Sequence, residues 1–151
     1  MIQESMLLLS SLALGVFLGA QLTEAVLFVP NWKSLSADDF FDFYQKYGEN
    51  IHRFFAPLTI VATAVPLLTV LYSFVNPGGN QVLFGLMGFS TLSFFSTYFL
   101  HFKKANQRYF VGSLSDKELP NELKKWGHWH WARIGFESLA FGLSLFLLME
   151  A

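Results

Sequence analysis

His130, Arg133 and Glu137 stand at i, i+3 and i+7. A helix through them presents an imidazole, a guanidinium and a carboxyl on one face. Such a face can move a proton or steady a developing oxyanion. Three further groups have matching chemistry: Glu24, His52 and His101. Imidazole with carboxylate suits iron, copper, zinc or manganese, so two chemistries are open. Either Glu24, His52, His101 and His130 ligate a transition metal, with Arg133 and Glu137 around them, or the site is metal-free. In the metal-free case His130 deprotonates an acidic substrate and Arg133 stabilises the resulting anion. His128 lies only two residues before His130, so on a regular helix it points nearly the opposite way, toward headgroups or water. Glu49-x-x-His52 also has the short spacing found in di-iron bundles.

The elements that must position these groups read as membrane spans. Of the 151 residues, 53% are hydrophobic and only 14% are charged, a balance foreign to a small soluble domain. The chain has no Cys, which excludes disulfides, iron–sulfur clusters and thiolate metal sites. A net charge of −1 offers no electrostatic basis for nucleic-acid binding. No phosphate-binding loop or dinucleotide fingerprint is present. Apolar runs at about 5–29, 54–75, 82–100 and 132–149 each approach the ~20 residues that cross a bilayer. The first lacks a basic start and is too long for a signal peptide. The expected fold is therefore all-α: a single four-transmembrane-helix domain over residues 1–151.

The connections sort the charges. Spans two and three are joined only by the "NPGGN" turn. The other two connections are long, and all ten Lys and Arg fall on their side: Lys33, Lys46, Arg53, Lys103, Lys104, Arg108, Lys117, Lys124, Lys125 and Arg133. The positive-inside rule puts both long loops in the cytoplasm and both termini outside, in a bacterial cytoplasmic membrane. In the first long loop, "SADDFFDFYQKYG" starts with a capping box at Ser36 and Asp39. Phe40, Phe41, Tyr44 and Tyr47 follow at helical spacing, which predicts a short interfacial helix with Trp32 and the tyrosines as belt residues. Trp126, Trp129 and Trp131 read as belt residues too. Pro120 marks a helix start ahead of span four.

Each span carries one polar stripe. Gln21 and Glu24 share a face of span one. Glu49 and His52 continue into Ala56, Thr59 and Thr63. Ser90, Ser93, Thr97 and His101 share a face of span three. All the stripes become ionisable toward the same membrane side, so a bundle would gather them into a pocket there. An ionisable group inside a span costs about 2.5 kcal/mol or more unless paired. Glu24 and Glu137 should therefore face the interior, with Arg133 as their counter-charge. The bland alternatives are an Arg133–Glu137 pair that neutralises itself, hydroxyls that bond their own backbone, and histidines that anchor span ends.

The stretch from "ANQRYF" to "WGHWHWAR" resembles the anthrone oxygenase-like family of small four-span membrane proteins. The resemblance rests on Asn106 after the third span, then Trp126, His130 and Arg133 opening the fourth. A first span with Gly19 and Ala20 before an acid, ending at Pro30, is similar as well. One departure is that "FKKAN" lacks the Pro that commonly precedes the Asn. Most members have no known function; a few fungal relatives are implicated in oxidising anthrones to anthraquinones. The resemblance implies an oxidoreductase or oxygenase acting on a flat hydrophobic aromatic or quinone-like substrate that enters from the bilayer. His130, Arg133, Asn106 and Glu137 are then the catalytic candidates. The competing reading is a non-enzymatic membrane protein, a partner subunit or a small-ligand binder or carrier, in which the polar cluster is a structural network.

Overall fold

A computed structural model of the chain describes residues 1–151. It consists of four long helices and no strand. These are α1 (Ile2–Ser34), α2 (Ala37–Val75), α3 (Gln81–Val111) and α4 (Leu119–Glu150), each long and apolar enough to cross a membrane. The protein is thus an all-α, multi-pass membrane bundle. The helices form a ring in which each packs on the next and α4 closes on α1. The Gln3 side-chain amide donates to the Gly78 carbonyl at 3.0 Å, so the chain start meets the α2–α3 turn at one end. The α1–α2 and α3–α4 connections lie at the other end, here called the loop end; the stretches read as long loops are mostly helix, and all ten Lys and Arg fall in the α3–α4 connection or in the loop-end halves of the helices.

Local chemistry explains where the helices begin and stop. Asn80 accepts from the Val82 and Leu83 amides at 3.1 and 3.3 Å and so starts α3. Gly112, at φ +63°, stops it in the left-handed conformation that glycine tolerates. Ser36 accepts from the Asp39 amide at 3.2 Å, and its hydroxyl donates back to the Asp39 carboxylate at 2.6 Å. The expected Ser36–Asp39 cap is therefore present, with the return bond made to the serine hydroxyl. Before α4, the Ser115 amide and hydroxyl donate to Glu118 at 3.0 and 2.7 Å. Those bonds hold the Glu118 carboxyl below the usual carboxylate range.

In the half of the bundle away from the loops, hydroxyls fasten the helices. Ser10 pairs with Thr69 at 2.8 Å across α1 and α2, and Ser11 with Ser144 at 2.9 Å across α1 and α4. Lipid competes for neither, so small polar residues serve as interhelical contacts. Around them pack Leu7, Leu14, Phe17, Met87 and Phe94, all fully buried.

Two features differ from the sequence reading. The expected short interfacial helix is not a separate element. Its residues are the first turns of the 39-residue α2, which runs unbroken from Ala37 to Val75. Nothing between Tyr47 and His52 stops a helix, since a lone Gly48 only weakens one. Its aromatic stripe also finds protein instead of headgroups. Phe40 and Tyr44 lie edge-on to Tyr109 at 5.2 and 5.4 Å between ring centroids. Trp32, Tyr44 and Trp126 are likewise core residues and not belt residues. Trp131, 52% exposed, keeps the position a belt residue needs.

The second difference is a pair of π-helical turns, Glu24–Phe28 in α1 and Tyr98–Phe102 in α3. In each, the amide after the turn bonds five residues back, Val29 to Glu24 and Lys103 to Tyr98. One extra residue per turn brings two consecutive side chains inward. Glu24 and Ala25 are both buried, as are His101 and Phe102. In α1 a cause is visible: Pro30 has no N–H to offer the carbonyl four residues before it.

Gly48 is the tightest backbone approach in this region. A Cβ there would lie 2.9 Å from the Tyr44 ring and 3.2 Å from Phe110. Tyr44 is boxed in by Trp32, Phe40 and Tyr109 and cannot yield. G48A should therefore lower stability by about 1–3 kcal/mol, despite the better helix propensity of alanine. Thermal unfolding in detergent measures this; an unchanged or higher melting temperature would show that the ring can move.

Candidate functional site

Arg133 is the centre of the loop-end half of the bundle. It enters from α4 and is only 8% exposed. Its guanidinium carbon lies 5.2 Å from the Phe17 ring of α1 and 5.4 Å from the Phe102 ring of α3. Its Nη2 donates to the Thr59 hydroxyl of α2 at 3.4 Å, and Thr59 in turn donates to the Phe55 carbonyl at 2.9 Å. One side chain thus meets all four helices. Two aromatic faces are the cheapest apolar surroundings for a cation, because the ring quadrupole is negative above its plane.

Glu24 and His130 lie beside it. His130 Nε2 is 2.9 Å from the Gln21 carbonyl and 3.8 Å from Glu24 Oε2. A carbonyl can only accept, so Nε2 carries the proton. Nδ1 is buried without a partner. The imidazole stacks on Trp126 at 4.8 Å, and the Trp126 indole N–H donates to Asn106 at 3.2 Å. The opening of α4 therefore holds one connected unit, Asn106–Trp126–His130–Gln21. Glu137, one turn beyond Arg133, is fully buried, and neither carboxyl oxygen has a hydrogen-bonding partner.

These groups border a cavity of about 260 Å³. Glu24, Gln21, Arg133, Thr59, His52 and Asn106 supply its polar lining. Trp32, Tyr44, Phe55, Phe95, Phe102 and Trp126 supply aromatic walls. His130 and Glu137 do not line it. The buried carboxyl that reaches the cavity is thus Glu24, and His130 stands behind it.

The expected ligand set does not assemble. No three His, Asp or Glu side chains converge as a metal would require. Of Glu24, His52, His101 and His130, only Glu24 and His130 meet, and His130 Nε2 is committed to a backbone carbonyl. His101 stacks parallel on Trp129 at 5.5 Å. His52 is exposed, on the cavity rim. Glu49, the partner suggested by the Glu49-x-x-His52 spacing, bonds Arg53 at 2.6 Å instead. The residues present do not fit a metal centre, and the chemistry below uses none.

The polar stripes meet only in part: Gln21, Glu24, His52, Thr59 and Arg133 share the cavity, while no residue of the span-three stripe, His101 included, lines it. Ser90, Thr97 and His101 are buried as expected, while Ser93 turns outward and bonds its own helix at Phe89. Sequence reasoning passed over Trp32, Tyr44 and Phe102 as cavity walls. The only signal for them was the Phe40/Tyr44 spacing, which fits a core as well as an interface. Comparison with known protein families, with characterised proteins and with solved structures finds no match.

The two histidines of "GHWHW" face opposite environments: His128 is exposed and His130 is buried. H128Q should leave the unfolding temperature in detergent unchanged. H130Q should cost about 1–3 kcal/mol, through the lost carbonyl bond and the disturbed Trp126 stack. Equal losses would mean that the first turns of α4 are not a regular helix.

Proposed function

We propose that the protein is a membrane oxidoreductase acting on a flat hydrophobic aromatic substrate with an acidic phenolic or quinol-like group. The observation that carries this reading is the presence of both Glu24 and Arg133 in the wall of one aromatic-lined cavity. Such a cavity accepts a planar apolar body, and a carboxyl beside a fixed cation suits removal of a proton followed by stabilisation of the anion. Glu24 takes the proton from the substrate O–H or from a C–H beside a carbonyl. Arg133 faces the oxyanion that develops. The carbon of the electron-rich anion then bonds dissolved dioxygen, which is the oxidant; the proton held by Glu24 passes to the outer oxygen, and loss of water from the resulting hydroperoxide leaves the quinone carbonyl. His130, whose Nε2–H is committed to the Gln21 carbonyl, packs behind Glu24 as a positioning residue. Asn106, held by Trp126, is a rim donor through its amide nitrogen. Glu137 acts from outside the cavity by balancing Arg133. The positive-inside rule supports a cytoplasmic loop end, which sets this chemistry near the inner face.

A second reading has its own support. The contacts of Arg133 with Phe17, Phe102 and Thr59 are those of a structural tie, and they suit a ligand carrier equally well.

Dioxygen uptake by vesicles containing the protein and a hydroxyanthracene separates the two. The oxidoreductase reading expects protein-dependent uptake that falls about 10²–10⁴-fold in E24Q, the usual worth of a positioned base. The melting temperature of E24Q should stay near that of the parent. Uptake that is absent, or equal in E24Q and the parent, would leave the carrier reading.

A further inference from the structure

The cavity has a roof and an open side. On the loop end it is covered by one buried aromatic layer that includes Trp32, Tyr44, Phe102, Tyr109 and Trp126. Its lining otherwise follows the facing sides of α2 and α3, from His52 and Asn106 at the loop end to Ile60 and Phe95 deeper in. His52 to Ile60 is about 12 Å along a helix, a distance that runs from headgroup level into the hydrocarbon. Ile60 and Phe99 line the cavity and are also 63% and 59% exposed on the outer surface. In a spanning helix that outer surface is lipid.

The walls of this slot hold unused polar groups. Trp32 is 2% exposed, and its indole N–H has no partner. The Nε–H of Arg133 has none either. Both residues line the cavity. Both donor atoms are cut off from the cavity's open space, so the cation of Arg133, whose side chain lines it, is the group that an entering oxygen meets. The slot therefore matches an amphiphile with a flat apolar body and an oxygen acceptor at its leading edge.

We propose that the cleft between α2 and α3 is a lateral portal, through which a bilayer-dissolved amphiphile of this kind slides between Ile60 and Phe99 to place its oxygen against Arg133. The proposal deepens the oxidoreductase reading by naming the route and the group recognised. It requires no turnover, so it stands or falls separately.

The natural absence of Cys makes the test direct. Ala56 lines the cavity and is outside the proposed machinery. The thiol of A56C, in protein reconstituted into phospholipid vesicles, is offered pyrene maleimide dissolved in the lipid or a sulfonated maleimide admitted to both aqueous sides. S115C, on the exposed α3–α4 connection, serves as the aqueous reference. The portal predicts that pyrene maleimide labels A56C, and that the sulfonated reagent labels it at least about tenfold more slowly than S115C, since reaction follows access. Adding I60W and F99W, both on the lipid face where bulk does not disturb the core, should slow pyrene labelling of A56C about fivefold or more. Labelling of S115C should not change. Sulfonated labelling of A56C as fast as S115C would overturn the portal, and so would no labelling of A56C by either reagent. Pyrene labelling indifferent to I60W and F99W would also overturn it. Loss of dioxygen uptake with normal labelling would instead count against the proposed chemistry alone.

Discussion

A guanidinium cannot discard its charge, and Arg133 is buried where lipid offers no counter-charge. The loop-end half of the bundle is arranged around that constraint. Phe17 and Phe102 present ring faces to the cation, Thr59 accepts a hydrogen bond, and Glu24 and Glu137 supply the opposite charge nearby. Each neighbour comes from a particular helix, so the rotation of all four helices about their axes is tied to one side chain. At the other end, paired hydroxyls do the same task with less energy at stake.

The same constraint gives the cavity polar groups from all four helices. A π-helical turn in α1 brings Glu24 and Ala25 inward together, and one in α3 does so for His101 and Phe102. Without the extra residue, one member of each pair would face outward. The turn in α1 therefore lets an acid reach the cavity beside Arg133, and the turn in α3 lets Phe102 cover the cation while His101 packs on Trp129. The aromatic layer above then screens these charges from the loop end, which strengthens every electrostatic interaction beneath it.

Much of the architecture was legible in residue order. Four apolar runs, one tight turn and the segregation of Lys and Arg are enough to place the other two connections together at one end, although the stretches between the runs are mostly helix and not loop. The i, i+3, i+7 spacing of His130, Arg133 and Glu137 correctly set all three inside, and it set His128 apart. Periodicity failed where the helix period itself changes. A constant 3.6-residue repeat cannot anticipate a π-turn, so neither adjacent buried pair was visible. It also could not tell whether the stripe of Phe40 and Tyr44 meets headgroups or Tyr109, because a core and an interface want the same spacing. The supposed ligands were misread for a related reason. A histidine at the end of a span is equally suited to stacking on Trp129, as His101 does, or to bonding a carbonyl, as His130 does.

The most direct test of the account is a double-mutant cycle between Arg133 and Glu137, read as unfolding free energy in a fixed detergent–lipid mixture. If the bundle is organised around a compensated buried charge, R133M alone leaves Glu137 without its counter-charge and is severely destabilised, by about 3–5 kcal/mol. Adding E137Q should then return roughly 1–3 kcal/mol of that loss, a coupling of the size seen for residues sharing one network. Strictly additive losses would contradict it, because Arg133 would then be held by packing alone and its charge would organise nothing.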